Sequence, residues 1–252
     1  MKNPEIPKII HYCWFGRNPL PPLAEKCIAS WQKFLPDYEI KEWNEDNFDV
    51  GMNPYIEEAY HMKKYAFVSD FARFYILYHH GGIYFDVDVE ILKPIDDILA
   101  RGPYMGLEKM EGTKYSGTVA VAAGLGMASY PKLGFFGEVI DFYSKTHFIS
   151  WRGKTSSTVV KLVTNLLIKK GDIDLNNISE CCGIYIYPDD YFDPMNSYTK
   201  DITITDNTRT IHHYAATWVE KRKKRGLEKH KERFNNLLLR LKLSFKRVFN
   251  NK

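Results

Sequence analysis

The run from Tyr65 to Pro94, YAFVSDFARFYILYHHGGIYFDVDVEILKP, limits the fold of this chain more than any other. Phe67, Phe71, Phe74 and Tyr78 recur at helical spacing, while Ala66, Asp70, Arg73 and Leu77 share another face of the same helix. Gly81-Gly82 is a stop signal. The residues then alternate, with Ile83, Phe85, Val87, Val89 and Ile91 on one side and Tyr84, Asp86, Asp88 and Glu90 on the other. That pattern predicts a strand, ended by Pro94. A helix that turns at once into a strand is a building block of layered α/β folds.

The same alternation of elements runs along the chain. Pro7–Phe15 reads as a buried first strand, Pro22–Phe34 as a helix, Tyr38–Asn44 as a second strand and Asn53–His61 as a helix. Further on, Gly117–Gly126 reads as a strand with Gly-rich turns, and helices are predicted within Tyr130–Lys145 and Ser156–Gly171. Gly183–Pro188 reads as a strand and Thr208–Trp218 as a last strand and turn. The expectation is an α/β sandwich with a mainly parallel sheet. Ligands in such folds sit at the carboxyl ends of the strands, where Asp86 and Asp88 fall.

Three carboxylates on one strand face repel unless water or a cation meets them. A bare Asp-x-Asp says little, because 16 Asp in 252 residues supply about one such pair by chance. Asp172 and Asp174 form a second copy, in a loop after a helix, where solvent is explanation enough. The first copy sits on an aromatic, β-branched strand. Residues two apart on a strand have Cα atoms roughly 6.5–7 Å apart, which suits two carboxylates flanking a divalent ion and its phosphate ligands. An acidic edge strand in water is the plain alternative.

Other residues read ambiguously at this level. Asp70 and Arg73 are either an i,i+3 ion pair or ligands. In IHHYAATW, His212 or His213 could offer an imidazole to a metal and Trp218 an indole N–H to a phosphate, or the histidines could simply flank a strand. Trp14, closing the first strand, suits either the core or a stacked base.

Charge divides the chain. Residues 220–252 hold 13 Lys and Arg against 3 Glu, a net of +10, which leaves −6 on residues 1–219 of a whole-chain +4. The basic stretch places Phe234, Leu237, Leu238, Leu241, Phe245 and Val248 at i, i+3/i+4 spacing, a basic amphipathic helix suited to an anionic membrane surface, the alternatives being packing on the protein's own body or a partner subunit, or RNA. The expected layout is a domain over 1–219 and a helical tail over 220–252. Cys13, Cys27, Cys181 and Cys182 show no C-x-x-C spacing, and no apolar run approaches ~18 residues. The expected location is the cytoplasm, peripheral at the inner face of the membrane.

Taken together, IPKIIHYCWFG, SDFARFYILYHHGGIYFDVDV and IHHYAATW resemble, in order and spacing, the family 32 glycosyltransferases, over roughly residues 5 to 219. Members of that family build bacterial capsule and lipopolysaccharide and transfer mannose in the fungal Golgi. The resemblance implies a GT-A fold, Rossmann-like, and a retaining transfer of a hexose or N-acetylhexosamine from a nucleotide-sugar donor. It also implies roles: Trp14 stacking on the base, Asp70 and Arg73 on the donor sugar, and Asp86 on ribose and sugar hydroxyls, with Tyr84 beside it. Asp88 would bind Mn²⁺ or Mg²⁺, with His212 or His213 completing the metal and diphosphate site and Thr217 and Trp218 next to it. A UDP-sugar is expected ahead of GDP-mannose, with a glycan or lipid-linked oligosaccharide acceptor and no nucleic acid partner. The rival readings are a metal-dependent nucleotide-sugar phosphohydrolase, and a non-catalytic membrane or nucleic-acid binder acting through the tail.

Overall fold

A computed structural model describes residues 4–110, 116–153, 158–197, 199–215 and 226–250. In chain order the elements begin β1 (Ile9–Cys13), α1 (Pro22–Phe34), β2 (Glu39–Trp43), α2 (Pro54–His61), α3 (Tyr65–His80), β3 (Gly82–Tyr84), β4 (Val89–Ile91), α4 (Asp96–Arg101) and β5 (Tyr104–Leu107). They continue with β6 (Val121–Ala122), a 3₁₀ turn (Ala123–Leu125), β7 (Met127–Ser129), α5 (Gly134–Ser144), α6 (Val159–Leu167), β8 (Ser179–Cys181), β9 (Ile184–Tyr187), α7 (Asp189–Phe192), β10 (Thr210–His212) and α8 (Gly226–Asn250).

One eight-stranded sheet runs β2-β1-β3-β7-β5-β9-β8, with β6 on β5. β1, β2, β3, β5 and β9 point one way and β6, β7 and β8 the other, so the sheet is mainly parallel by direction. Period-two alternation sorts side chains between two cores, one on each face. Ile10, Tyr12, Ile83, Phe85 and Tyr104 pack on one side with Trp31 of α1. Cys13, Tyr84, Met105 and Leu107 pack on the other with α3, α5 and α6. Helix α3 is buried on nearly every face, with Val68, Asp70, Phe71, Ala72, Arg73, Phe74, Ile76 and Leu77 all inside. It is therefore a central element rather than a surface one.

Two expectations change here. The acidic strand is not continuous. β3 ends at Tyr84, the chain turns through Val87 and Asp88, and the Val89 N–H closes that turn on the Asp86 carbonyl at 3.0 Å. β4 then leaves the main sheet and pairs antiparallel with β10. Like charges on one face oppose a straight strand, and the turn separates them. The strand expected over Gly117–Gly126 shrinks to Val121–Ala122, because the chain coils into the 3₁₀ turn at once.

The Gly81-Gly82 reversal is obligatory for close approach as well as for backbone angle. Gly81 has φ 67° and Gly82 φ 94°, and a Cβ on Gly82 would lie 2.5 Å from the Ile9 carbonyl oxygen. Positive φ alone makes alanine unfavourable, and that backbone clash adds to it. Gly82→Ala is expected to lower unfolding free energy by more than about 1 kcal/mol in urea titration.

Candidate active site

Arg73 lies at the centre of the site. The i,i+3 spacing on α3 brings its guanidinium to Asp70 at 3.2 Å, and the β3 end brings Asp86 to 3.1 Å. Its Nε donates to the Ser69 carbonyl at 3.1 Å, and the guanidinium lies over the Tyr84 ring, 5.0 Å from its centroid. The Tyr84 hydroxyl donates to Asp86 at 3.0 Å. Gly124 in the 3₁₀ turn closes the far side, since a Cβ there would meet the Asp86 Oδ2 at 2.4 Å. Burial pushes the Asp70 carboxyl up to about 6 against the pull of Arg73. Burial raises Asp86 as well, again opposed by Arg73.

Asp88, two residues on, meets a different set of partners. One carboxylate oxygen lies 3.1 Å from His212 Nε2 and the other accepts the Ala215 N–H at 2.9 Å. Its carbonyl accepts the His213 N–H at 2.9 Å. Burial alone would raise Asp88, but His212 and the Ala215 N–H outweigh it and hold the carboxyl down at about 2. His212 is correspondingly raised: burial acts to lower it and Asp88 prevails. The neighbouring His213 turns away, its Nε2 2.8 Å from Glu90, whose same oxygen takes Lys26 at 2.8 Å. His212 and His213 are thus separated by the β10 alternation.

Among the described residues no three His, Cys, Asp or Glu side chains converge as a metal-binding group by themselves. An ionised carboxylate facing an imidazole nitrogen still fits a divalent ion that takes its other ligands from phosphate and water. His212 Nδ1 is buried without a hydrogen-bond partner, so the outer support that metal-bound histidines usually have is missing on that side.

The remaining sequence candidates fall in different places. Trp14 follows β1, half buried, its Nε1 donating to the Asn18 carbonyl at 2.6 Å. Tyr84 is fully buried, its ring beneath Arg73 and its hydroxyl on Asp86, so it acts on the site through those two side chains. Thr217 and Trp218 lie outside the described residues. The second Asp-x-Asp is a loop: Asp174 accepts the backbone N–H groups of Asn176 and Asn177.

Sequence reasoning missed a second buried carboxyl. Asp193, just past α7, accepts the Tyr214 hydroxyl and the Lys109 N–H, both at 2.7 Å, while its other oxygen is buried without a partner. Burial pushes it up to about 6. Tyr214 has φ 49° and sets its ring edge-on to His212 at 4.3 Å. Glu108, at the end of β5, is also raised by burial. Only Tyr214, inside the IHHY block, carried any signal in the sequence.

Residues 21–104 match the family described as "Glycosyltransferase sugar-binding region containing DXD motif". The chain is 30% identical over 123 residues to inositol phosphoceramide mannosyltransferase 1 of Schizosaccharomyces pombe, covering 44% of this chain and 37% of that protein. It is 29% identical over 163 residues to mannosyl phosphorylinositol ceramide synthase CSH1 of Saccharomyces cerevisiae, covering 61% and 40% respectively. The chain therefore spans less than half the length of these two curated relatives. Among solved structures, the galactosyltransferase LgtC aligns with a TM-score of 0.42 at 13% identity, over 91% of this chain and 96% of that one.

Two outcomes follow from the geometry. His212, raised by Asp88, contributes stability that is full below its unfolded value of 6.5 and is lost as pH rises through its folded value. Melting of metal-free wild type and His212→Gln across neutral to alkaline pH is expected to converge as pH rises. Tyr214→Phe strips Asp193 of one of its two donors and is expected to cost about 1–3 kcal/mol in chemical denaturation.

Proposed function

We propose that this chain, whose residues 21–104 match the DXD-containing sugar-binding region of glycosyltransferases, is a metal-dependent, retaining hexosyl- or N-acetylhexosaminyltransferase. Its donor is a nucleotide sugar and its acceptor a glycan or lipid-linked oligosaccharide of surface polysaccharide synthesis, handled at the cytoplasmic face of the membrane. The observation that carries this reading is the pairing of Asp86, set against Arg73 and Tyr84, with Asp88, held ionised by His212 and the Ala215 N–H.

A divalent cation held by Asp88 and His212 would offset charge on the departing diphosphate. Asp86, the more exposed carboxylate, accepts hydrogen bonds from ribose and sugar hydroxyls, and Arg73 fixes its orientation. Asp70, behind Arg73, keeps that guanidinium in place rather than touching the sugar. Trp14, half exposed at the end of β1, offers a flat face to the base. Retention by double displacement would need a carboxylate nucleophile beneath the anomeric carbon. Asp70 and Asp193 are too buried to serve, which favours attack on the same face as the leaving diphosphate, its oxygen taking the acceptor's proton. The names of the relatives, mannosyl transfer to inositol phosphoceramide, support a lipid-borne acceptor and put GDP-mannose beside the UDP-hexoses as donor.

Thermal unfolding with UDP- and GDP-sugars, with and without Mn²⁺, tests the reading. A ligand at 100 times its Kd is expected to add about 2.7 kcal/mol to stability. Such a shift should appear with one donor, require the metal and vanish in Asp88→Ala, whose transfer rate should fall by about 10²-fold or more. Stabilisation that persists in Asp88→Ala would overturn the assignment.

A further inference from the structure

We infer that helix α8 seats the protein on an anionic lipid bilayer through its exposed apolar face. The helix is not free. Asn236 donates to the Gly153 carbonyl at 3.1 Å and Arg240 to the Ile149 carbonyl at 2.8 Å, with its guanidinium over the Trp151 ring at 3.8 Å. Leu243 is buried, Leu239 packs against the core, and Arg247 pairs with Glu57 of α2. Residues 236, 239, 240, 243 and 247 form one continuous helical face, so the orientation of α8 about its axis is fixed.

The opposite face is apolar. Phe234, Leu238, Leu241 and Phe245 are between 37% and 61% exposed, at spacings of four, three and four residues. At 100° per residue their mean direction lies roughly 180° from the docked face. The helix thus turns its larger apolar residues outward and its mixed ones inward, the reverse of a surface helix folded for its own body. Exposed Lys231, Lys242 and Lys246 border the stripe on one side and Arg233 on the other.

Charge selects the occupant. The helix carries seven Lys and Arg against two Glu. The four-three-four spacing would also suit a coiled-coil seam, but pairing two such helices brings like charge together. An anionic surface gains from the same charge, with the lysine stems lying along the apolar stripe and their ammonium groups reaching headgroups. No helix among the described residues is long and apolar enough to cross a membrane, so α8 would lie in the interface plane.

Flotation of the full chain with phosphatidylcholine vesicles, with and without phosphatidylglycerol, tests this. Wild type is expected to float only with the anionic vesicles. Leu238→Asp with Leu241→Asp should lower the bound fraction at least about tenfold, as should Lys231→Glu with Lys242→Glu and Lys246→Glu. All should melt within a few degrees of wild type, since none of these residues is on the docked face. Absence of wild-type flotation, or equal flotation of wild type and the double Leu variant, overturns the inference. So does a concentration-dependent dimer in vesicle-free sedimentation that the Leu pair dissolves, which would give the stripe to a second copy.

Discussion

The Arg73 guanidinium is the interaction on which the site depends. Its charge is shared between two carboxylates, the buried Asp70 behind it and the partly exposed Asp86 before it. Without it the buried Asp70 would lose the cation beside it, at a cost of about 3–5 kcal/mol. Its position follows from larger constraints. Helix α3 must be buried to bring Arg73 inside, and the chain must reverse within Gly81-Gly82 to return β3 alongside it. Gly124 must lack a side chain for Asp86 to lie where it does. A buried ion cluster of this kind does little for net stability. It costs desolvation and gains a fixed direction for one carboxylate.

The turn after β3 makes the two aspartates different. On a straight strand, Asp86 and Asp88 would share a face and much of their environment. The turn sends Asp86 to α3 and Asp88 to β10, and their titration separates accordingly: Asp86 is raised by burial while Asp88 is held down by His212 and a backbone N–H. Carboxylates pushed apart in this way take different tasks. Asp88 suits permanent negative charge, and Asp86 suits hydrogen bonding to neutral hydroxyls.

Much of this was legible from the sequence, and what was not has identifiable causes. α1, α2 and α3 were found because their apolar residues recur at 3.6 and their ends carry Pro or Gly. β1, β2 and β9 were readable as short β-branched or aromatic runs. β5 and β7 were missed: YMGL and MAS are short and carry no alternation, and only pairing in the sheet makes them strands. At the site, Asp70, Arg73 and Asp86 come together in one group and Asp88 and His212 in another, and each of these residues lies in a block that the sequence marks out. Gly124, Asp193 and Glu108 gave no local sign, because their proximity is made by the sheet order and not by sequence spacing.

The least local of these contacts governs when the site can exist. Asp88 stays ionised despite its burial because of His212 and Ala215, more than a hundred residues later, through the antiparallel pairing of β4 with β10. That pairing is only three residues long, too short to hold by itself. It is buttressed from behind by Asp193, which grips Tyr214, and from the side by Glu90, which joins His213 to Lys26 of α1. The arrangement ties the surroundings of Asp88 to completion of the separate β4–β10 pair. An unfinished chain would expose Asp88 as an ordinary aspartate. Only with β10 in place is the Asp88 carboxylate held in one direction, buried yet ionised, between an imidazole and a backbone N–H.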